Sequence, residues 1–377
     1  MENESQELLL SDWGAIEDVL GGASAIDGLA REHGALKRAR RVRSGSDLLR
    51  LALAYAVTGY SLRTTAAWSE ASVGIDLCDV SLLSRLREAG DFLAVLVRKL
   101  LAQTAETVDA STCWHGAPIR LVDGSLFSGP ERKGGQHRLH ASFDPTRGVF
   151  TSIDLTGTHE GESLARGEIE PGAIAVADRN YAKTHALRDL DANGSFYAVR
   201  AGIRSVRLMD PLSGERVTAK AILAALGESQ SAELAVTMIE AKTSKKNPRL
   251  PLKARLVILK ANEAATRYEQ ARIKTSRRVH KATPTQETQD MAGVVIILTN
   301  LPADLWSIDQ IAALYRLRWQ IELAFKTLKS LFEMRDVPAK DPRMARTWIL
   351  ANLIAALLSM RLSVAIQQAI PPRASSK

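Results

Sequence analysis

The sequence predicts an α/β protein with an all-α N-terminal domain, followed by a mixed sheet that is flanked by helices and interrupted by a strand-rich insertion. Three observations predict it. Up to about residue 103 the apolar residues recur at helical spacing, with no alternating strand pattern. Residues 139–155 then alternate as a hairpin does, and 172–200 read as strand, helix and strand. After a last apolar run at 293–299, residues 307–329 return to a helical period. The expected divisions are a helical domain at 1–110, two parts of a sheet core at 111–204 and 291–335, the insertion at 205–290, and a C-terminal helical region at 336–377.

With 377 residues, there is room for two or three domains or for one enlarged core with insertions. Fifty Lys and Arg against 42 Asp and Glu give a net charge of +8, and the pI is about 9.5. Such a balance favours an anionic partner, most simply nucleic acid. Cys78 and Cys113 stand far apart without CxxC or His-rich spacing, which excludes a zinc ribbon or disulfide scaffold and suits a reducing compartment. The first residues, MENESQELLLSDWG, are acidic where a signal peptide would be basic. The longest uncharged apolar run, 348–360, is shorter than the roughly 20 residues that span a bilayer, so it reads as a buried helix and no membrane partner is expected.

Taken in order, residues 46–57 form an apolar helix. Ser61 can cap a short helix, LRTTAAWSEA, and after a turn at Gly74 either Asp79 or Ser81 can cap LLSRLREAG. Two short capped helices across a glycine turn make a candidate helix-turn-helix. The run KRARRVR at 37–43 is either a DNA backbone contact or a solvated linker. The short run PIRLV ends at Asp123, followed by Gly124 and Ser125. A carboxylate at a strand end beside a tight turn is a usual place for a metal ligand. LHASFD, the turn PTRG and VFTSIDL then make the hairpin, and His159 and Glu162 in THEGES are candidates to approach the site from it.

A second buried strand, GAIAVA, ends at Asp178 in DRNYAK, where Asn180 is a residue that tolerates positive φ. A helix at 183–190 and a strand at 196–200 complete the unit. In the insertion, 206–209, 232–240 and 254–260 alternate like strands, with basic connections at Lys242, Lys245, Lys246 and Arg249. Arg272, Lys274, Arg277, Arg278 and Lys281 follow on a helix and loop that either track a DNA backbone or form a solvated arm. The tail, 371–377, reads as disordered.

The helical stretch at 307–329 contains YRLRWQIELAFKTLK. At about 100° per residue, Tyr315, Arg318, Glu322 and Lys329 fall within an arc of roughly 60°. One carboxylate, two cations and a phenol thus share a stripe beside an apolar face, a mixture that suits a polyphosphate. The spacing Y-x2-R-x3-E-x6-K, with its surroundings RWQIE and FKTLK, resembles the signature of the DDE transposases of bacterial insertion sequences, insertion sequence family four. The resemblance extends to DVSLLSRLREAG and to ADRNYA, in which Asn180 stands where the family has glycine.

That resemblance implies a ribonuclease H-like core with Asp123, Asp178 and Glu322 as catalytic residues and metal ligands. Two Mg2+ ions are the expected cofactors, with Mn2+ able to substitute, since hard cations take oxygen ligands. Asp123 would bridge the ions while Asp178 and Glu322 each hold one. Tyr315, Arg318, Lys329, Lys326 and Trp319 on the signature helix, and Arg63, Arg85 and Arg87 in the N-terminal helices, are the implied DNA contacts. The implied partner is double-stranded DNA, both element ends and target, bound by a homodimer in a cytoplasmic, nucleoid-associated setting. A nuclease of the same fold that never joins strands, or a catalytically silent DNA-binding regulator, are the alternatives. Short inverted repeats flanking the gene would separate them.

Overall fold

The computed structural model describes residues 13–106, 115–128, 135–203, 205–240, 251–280, 285–331 and 337–369. Cys113, the basic residues at 242–249, Lys281 and the tail at 371–377 lie outside them. The chain opens with α1 (Trp13–Val19), α2 (Ala23–Glu32), α3 (Gly45–Val57), α4 (Leu62–Val73), α5 (Asp79–Glu88) and α6 (Gly90–Glu106). Ser44 and Asp47 form a reciprocal capping box at the start of α3. Behind it Leu48, Leu49, Leu51, Ala52 and Leu53 are all buried, so α3 is the central rod of the bundle. Ser61 caps α4 as expected, and Gly74, at φ 70°, ends it in the left-handed conformation that glycine adopts without steric cost. Neither Asp79 nor Ser81 caps α5. Cys78 holds that position, and the Asp79 carboxylate accepts from the neighbouring Val80 N–H at 2.8 Å.

The described strands are β1 (Ile119–Ser128), β2 (Gly135–Asp144), β3 (Val149–Gly157), β4 (Ile174–Ala177), β5 (Phe196–Arg200), β6 (Arg207–Met209), β7 (Ser231–Ile239), β8 (Leu252–Lys260) and β9 (Val294–Thr299). Between them come α7 (Thr184–Ala192), α8 (Ala219–Leu226), α9 (Glu263–His280) and α10 (Gln286–Asp290); α11 (Ile308–Arg316), α12 (Trp319–Leu331) and α13 (Pro342–Ala369) follow β9. All nine strands join one mixed sheet in the order β3-β2-β1-β4-β5-β9-β8-β7-β6. β1, β4 and β5 run parallel, and every other pairing is antiparallel. The strand-rich stretch therefore extends the main sheet through β8 and β9. The uninterrupted apolar run of β9 favours this, because such a strand is buried on both faces and paired on both edges.

Alternation gives the sheet two apolar faces. Ile119, Leu121 and Phe127 of β1, Ile174 and Val176 of β4 and Ala198 of β5 share one core with α1–α6 and α11–α13. Val122, Ala175, Ala177, Tyr197 and Val199 face the other core, with α7 and α8. The apolar run at 348–360 is the buried helix expected, and α13 packs it against α3, α5 and α6. Helices from both ends of the chain thus form one layer. Among the described residues no helix is long and apolar enough to cross a membrane.

Arg120 fixes the base of β1. Its guanidinium donates to Asp144 at 2.8 Å, to the Ile119 carbonyl at 3.0 Å and to Glu170, and the Arg120 and Asp144 side chains are nearly fully buried. Removing one member of a buried, hydrogen-bonded pair strands the other charge. Arg120→Ala is expected to lower unfolding stability by about 3–5 kcal/mol, read from the denaturant midpoint; a loss well below 1 kcal/mol would show that the network does not hold β1.

Candidate active site

β4 pairs with β1 from Ile174↔Ile119 to Ala177↔Val122, so Asp178 and Asp123 are the next residues along two adjacent parallel strands. Strand alternation turns both away from Val122 and Ala177 and toward the layer of α11 and α12. Neighbouring strands lie about 4.8 Å apart, so the two carboxylates leave the sheet at neighbouring points. β1 does not end at Asp123, contrary to the sequence reading. It continues to Ser128, paired with β2 through Asp123↔Ala141. What stops there is β4, whose chain leaves through a single 3-10 turn, Arg179–Tyr181. Asn180 needs no positive φ in that turn; His115 and Glu168 are the described non-glycine residues that adopt one.

Residues 307–329 do not form one helix. A capping box of Ser307 and Gln310 starts α11, which ends at Arg316. Leu317 N–H bonds to the Leu314 carbonyl, Arg318 N–H to that of Tyr315 at 3.1 Å, and Gln320 N–H to that of Leu317 at 2.9 Å. These i to i+3 bonds tighten the chain into a turn before α12. The two halves pack on different strands, α11 on β4, β5, β7 and β8 and α12 on β1, which accounts for the break. The expected single stripe is therefore divided, with Tyr315 on α11, Arg318 in the turn, and Glu322 and Lys329 on α12.

Glu322 reaches a cleft of about 340 Å³ lined by Asp123, Gly124, Ser125, Phe325, Lys326 and Lys329. Its carboxylate accepts from Arg318 Nη2 at 2.6 Å, with Glu322 half exposed and Arg318 largely covered. Burial opposes the Arg318 charge, but Tyr315, Glu322 and Asp178 outweigh it and raise the guanidinium pKa. Burial raises the Asp123 carboxyl to about 6; the Gly124 N–H and Arg318 pull it down, whereas Glu162 and Glu322 push it further up. Tyr315 is partly buried against the core, and its phenol is raised to about 12, chiefly by burial.

The Lys329 ammonium donates to the Leu126 carbonyl at 2.8 Å and lies 4.8 Å from the Phe127 ring centroid; burial lowers its pKa. Lys326 is exposed at the cleft. Trp319 is 53% exposed and lines a separate apolar groove with Phe143, Phe150 and Leu323. In the N-terminal helices Arg63 is exposed, Arg85 donates to the Arg38 carbonyl at 3.0 Å, and Arg87 pairs with Asp341 at 2.7 Å. Within the basic run at 37–43, Lys37 pairs with Glu88 and Arg41 with Asp76.

Two further groups close the far side of β1. A side chain at Gly124 would lie 3.2 Å from Glu162 Oε1 and 3.3 Å from the Tyr181 hydroxyl. Tyr181 is fully buried, and its hydroxyl has no hydrogen-bond partner among the described residues. Burial raises its pKa first, followed by Glu162, Asp123 and Asp178. Glu162 lies 3.8 Å from Arg138. The sequence carried Tyr181 only as a letter of the Asp178 motif, because nothing in local spacing marks a residue that folds back beneath a neighbouring strand.

The donor set is hard oxygen, which suits a divalent cation. The buried, elevated Asp123 carboxyl marks a place where added positive charge would relieve repulsion. Among the described residues no three acidic, His or Cys side chains are gathered closely enough to hold a metal. Glu322 is turned to Arg318.

The Asp123 shift has a sign. Between its unfolded value of about 3.9 and its folded value of about 6, the folded chain keeps a proton that the unfolded chain has lost. Without divalent ions, stability should therefore fall as pH rises from 4 to 6, by up to about 3 kcal/mol. Asp123→Asn should remove that part of the slope in urea titrations under chelator; equal slopes would contradict the burial of this carboxyl.

Comparison with known proteins gives the family. A model of the transposase DDE domain matches residues 114–358. The chain is 36% identical over 348 residues to InsL of Escherichia coli (strain K12), named as a transposase for insertion sequence element IS186A, with 92% of each chain covered. It is 36% identical over 349 residues to the transposase for insertion sequence element IS421 of Escherichia coli, again over 92% of each. The transposase for IS231D of Bacillus thuringiensis subsp. finitimus is 23% identical over 372 residues, 89% of this chain and 76% of that one. Proteins with this domain generally use divalent metal ions, and transposases act on DNA. The sheet and helices described above are accordingly a ribonuclease H-like core, and the chain belongs to the DDE transposases of bacterial insertion sequences.

Proposed function

We propose that this transposase cuts DNA at the terminal inverted repeats of its own element and joins the freed ends to target DNA, with Asp123, Asp178 and Glu322 as its catalytic carboxylates. The observation that supports this most is the β1–β4 register, which sets Asp123 and Asp178 side by side on the face where α12 carries Glu322. Those three would hold two divalent cations, Mg2+ by preference and Mn2+ as a substitute. When bound, the cations activate the attacking water and neutralise charge on the leaving oxygen.

In the first step water attacks the phosphorus at the element end. The bond to the 3′ oxygen breaks, leaving a 3′-hydroxyl on the element and a 5′-phosphate on the flank. In the second step that hydroxyl attacks a target phosphodiester and displaces its 3′ oxygen. Arg318 restrains Glu322 in the free chain, and an incoming phosphate offers the guanidinium another anion. Lys326 and Lys329 at the cleft then hold the backbone close to Asp123. With its pKa near 12 the Tyr315 phenol keeps its proton and can donate to a phosphate oxygen. The α4–α5 pair, with Arg63, Arg85 and Arg87, reads the repeats, and a homodimer brings two ends together.

Asp123→Ala, Asp178→Ala and Glu322→Gln should each reduce cleavage by three orders of magnitude or more, on the scale of about 10²–10³ lost per charge-stabilising group, with DNA binding retained. The assay is nicking of DNA carrying the gene's own flanks, with Mg2+ against Ca2+. A variant that nicks at the wild-type rate leaves the set, and specific binding without any cut by the wild type points to the silent regulator. Arg318→Ala should weaken the end complex and make its loss with salt shallower, by about one in the slope of log affinity against log salt, measured by gel shift; an unchanged complex would remove the phosphate role.

A further inference from the structure

The parallel register continues past the two aspartates. β4 and β5 pair through Ala177↔Val199, so Arg200 stands level with Asp178, as Asp178 does with Asp123. Asp178 and Arg200 are strand neighbours that form no ion pair. Arg200 instead lines a cavity of about 320 Å³ with Arg179, Arg272, Glu269, Ser205 and Thr288. Three guanidinium groups and two carboxylates, Glu269 and Glu287, line it at the strand ends beside Asp178, and Glu287 Oε1 accepts from the Ala219 N–H at 3.4 Å.

The carboxylate set against the arginines is Glu269 of α9. It accepts from Arg272 Nε at 3.0 Å and again from Nη2, lies 4.0 Å from Arg179, and its side chain is only 18% exposed. The Arg272 hydrogen bond foremost, with Arg179 and Arg200 in support, holds its carboxyl below the usual range against the opposing effect of burial. An anion in a nest of arginines is the arrangement a phosphate would take.

We propose that Arg179, Arg200 and Arg272 form a backbone-phosphate site for the DNA strand that passes Asp178, and that Glu269 occupies this site in the free protein and is displaced when DNA arrives. This rests on the reading above that Asp178 lies at the cleavage point. The ligand chemistry is a phosphodiester monoanion, and recognition is independent of base sequence. α9, the first helix after β8, thereby acts as the outer wall of the DNA channel and carries both a cation for the phosphate and its internal substitute.

The test is a salt titration of binding between the full chain and DNA carrying the gene's flanks. Each of Arg200→Ala and Arg272→Ala should weaken binding roughly tenfold and reduce the slope of log affinity against log salt by about one. Arg200→Lys should recover most of the slope, because Lys still neutralises a phosphate as a point charge. Glu269→Gln should tighten binding roughly tenfold, more than Glu263→Gln, which adds the same charge on a 92% exposed residue of the same helix. Thermal unfolding of each variant identifies loss of fold, and Glu269→Gln keeps the question open to measurement if an Arg variant fails to fold. Unchanged slopes in the Arg variants, or equal effects of Glu269→Gln and Glu263→Gln, would overturn the phosphate site while leaving the three-carboxylate reading in place. Failure of the wild type to bind this DNA at all would overturn both.

Discussion

The parallel register of β1, β4 and β5 is the constraint on which the rest of the site depends. Side chains alternate along a strand, so a slip of one residue between β1 and β4 would send Asp178 to the α7 face and leave Asp123 alone under α12. Several features hold that register. Val122, Ala175, Ala177 and Val199 are buried in one core while Leu121, Ile174, Val176 and Ala198 are buried in the other, so neither face tolerates a shift. Arg120 locks the lower end of β1 to the end of β2 and to the loop before β4. Asn300, just past β9, accepts from the Tyr197 N–H at 2.8 Å and so pins β5 as well.

The charges in the molecule fall into two kinds. Arg120 with Asp144, and Arg255 with Glu233, are closed arrangements in which every partner is short and directed, and Arg255 also bonds the Leu301 and Trp306 carbonyls before α11. Such sets fix elements in place. Around Asp123 the accounting is left open: burial raises a carboxyl that no cation among the described residues directly contacts, and two further carboxylates act on it. A folded chain gains nothing in stability from that arrangement. On the function proposed above it is a place prepared for positive charge brought from outside, with Arg318 and Glu322 as the pair that would exchange partners when it comes.

The sequence made the strands legible wherever the information was local. The apolar runs leading to Asp123 and Asp178, the hairpin and the Ser61 cap of α4 follow from alternation, apolar runs and side-chain caps. What it hid was decided at long range. No Gly or Pro marks the break at Leu317 and Arg318; it arises because α11 and α12 rest on different strands. Nothing in 118–128 shows that β1 outlasts its partner β4, since the end of a ladder belongs to the neighbour. The same holds for β6–β8, whose alternation gives strands but not the sheet they join. The attachment of α13 to the N-terminal bundle depends on contacts between segments more than 240 residues apart, such as the Thr347 hydroxyl donating to the Leu86 carbonyl at 2.7 Å.

The break in the signature helix gives the site its geometry. A straight helix through 307–329 would have to lie along one strand and carry Tyr315 and Glu322 on one line. Divided by a tight turn, the chain sets α11 over β4 and β5, near Asp178, and α12 over β1, near Asp123, with Arg318 at the corner between them. Arg318 feels both aspartates and bonds Glu322. A guanidinium in that position offsets part of the repulsion on Asp123 in the free chain, and on the function proposed above, being planar with several donors, it can turn to a phosphate without leaving the corner. On that proposal, the residue that quiets the site before DNA binds is also the one that orients the DNA once it does.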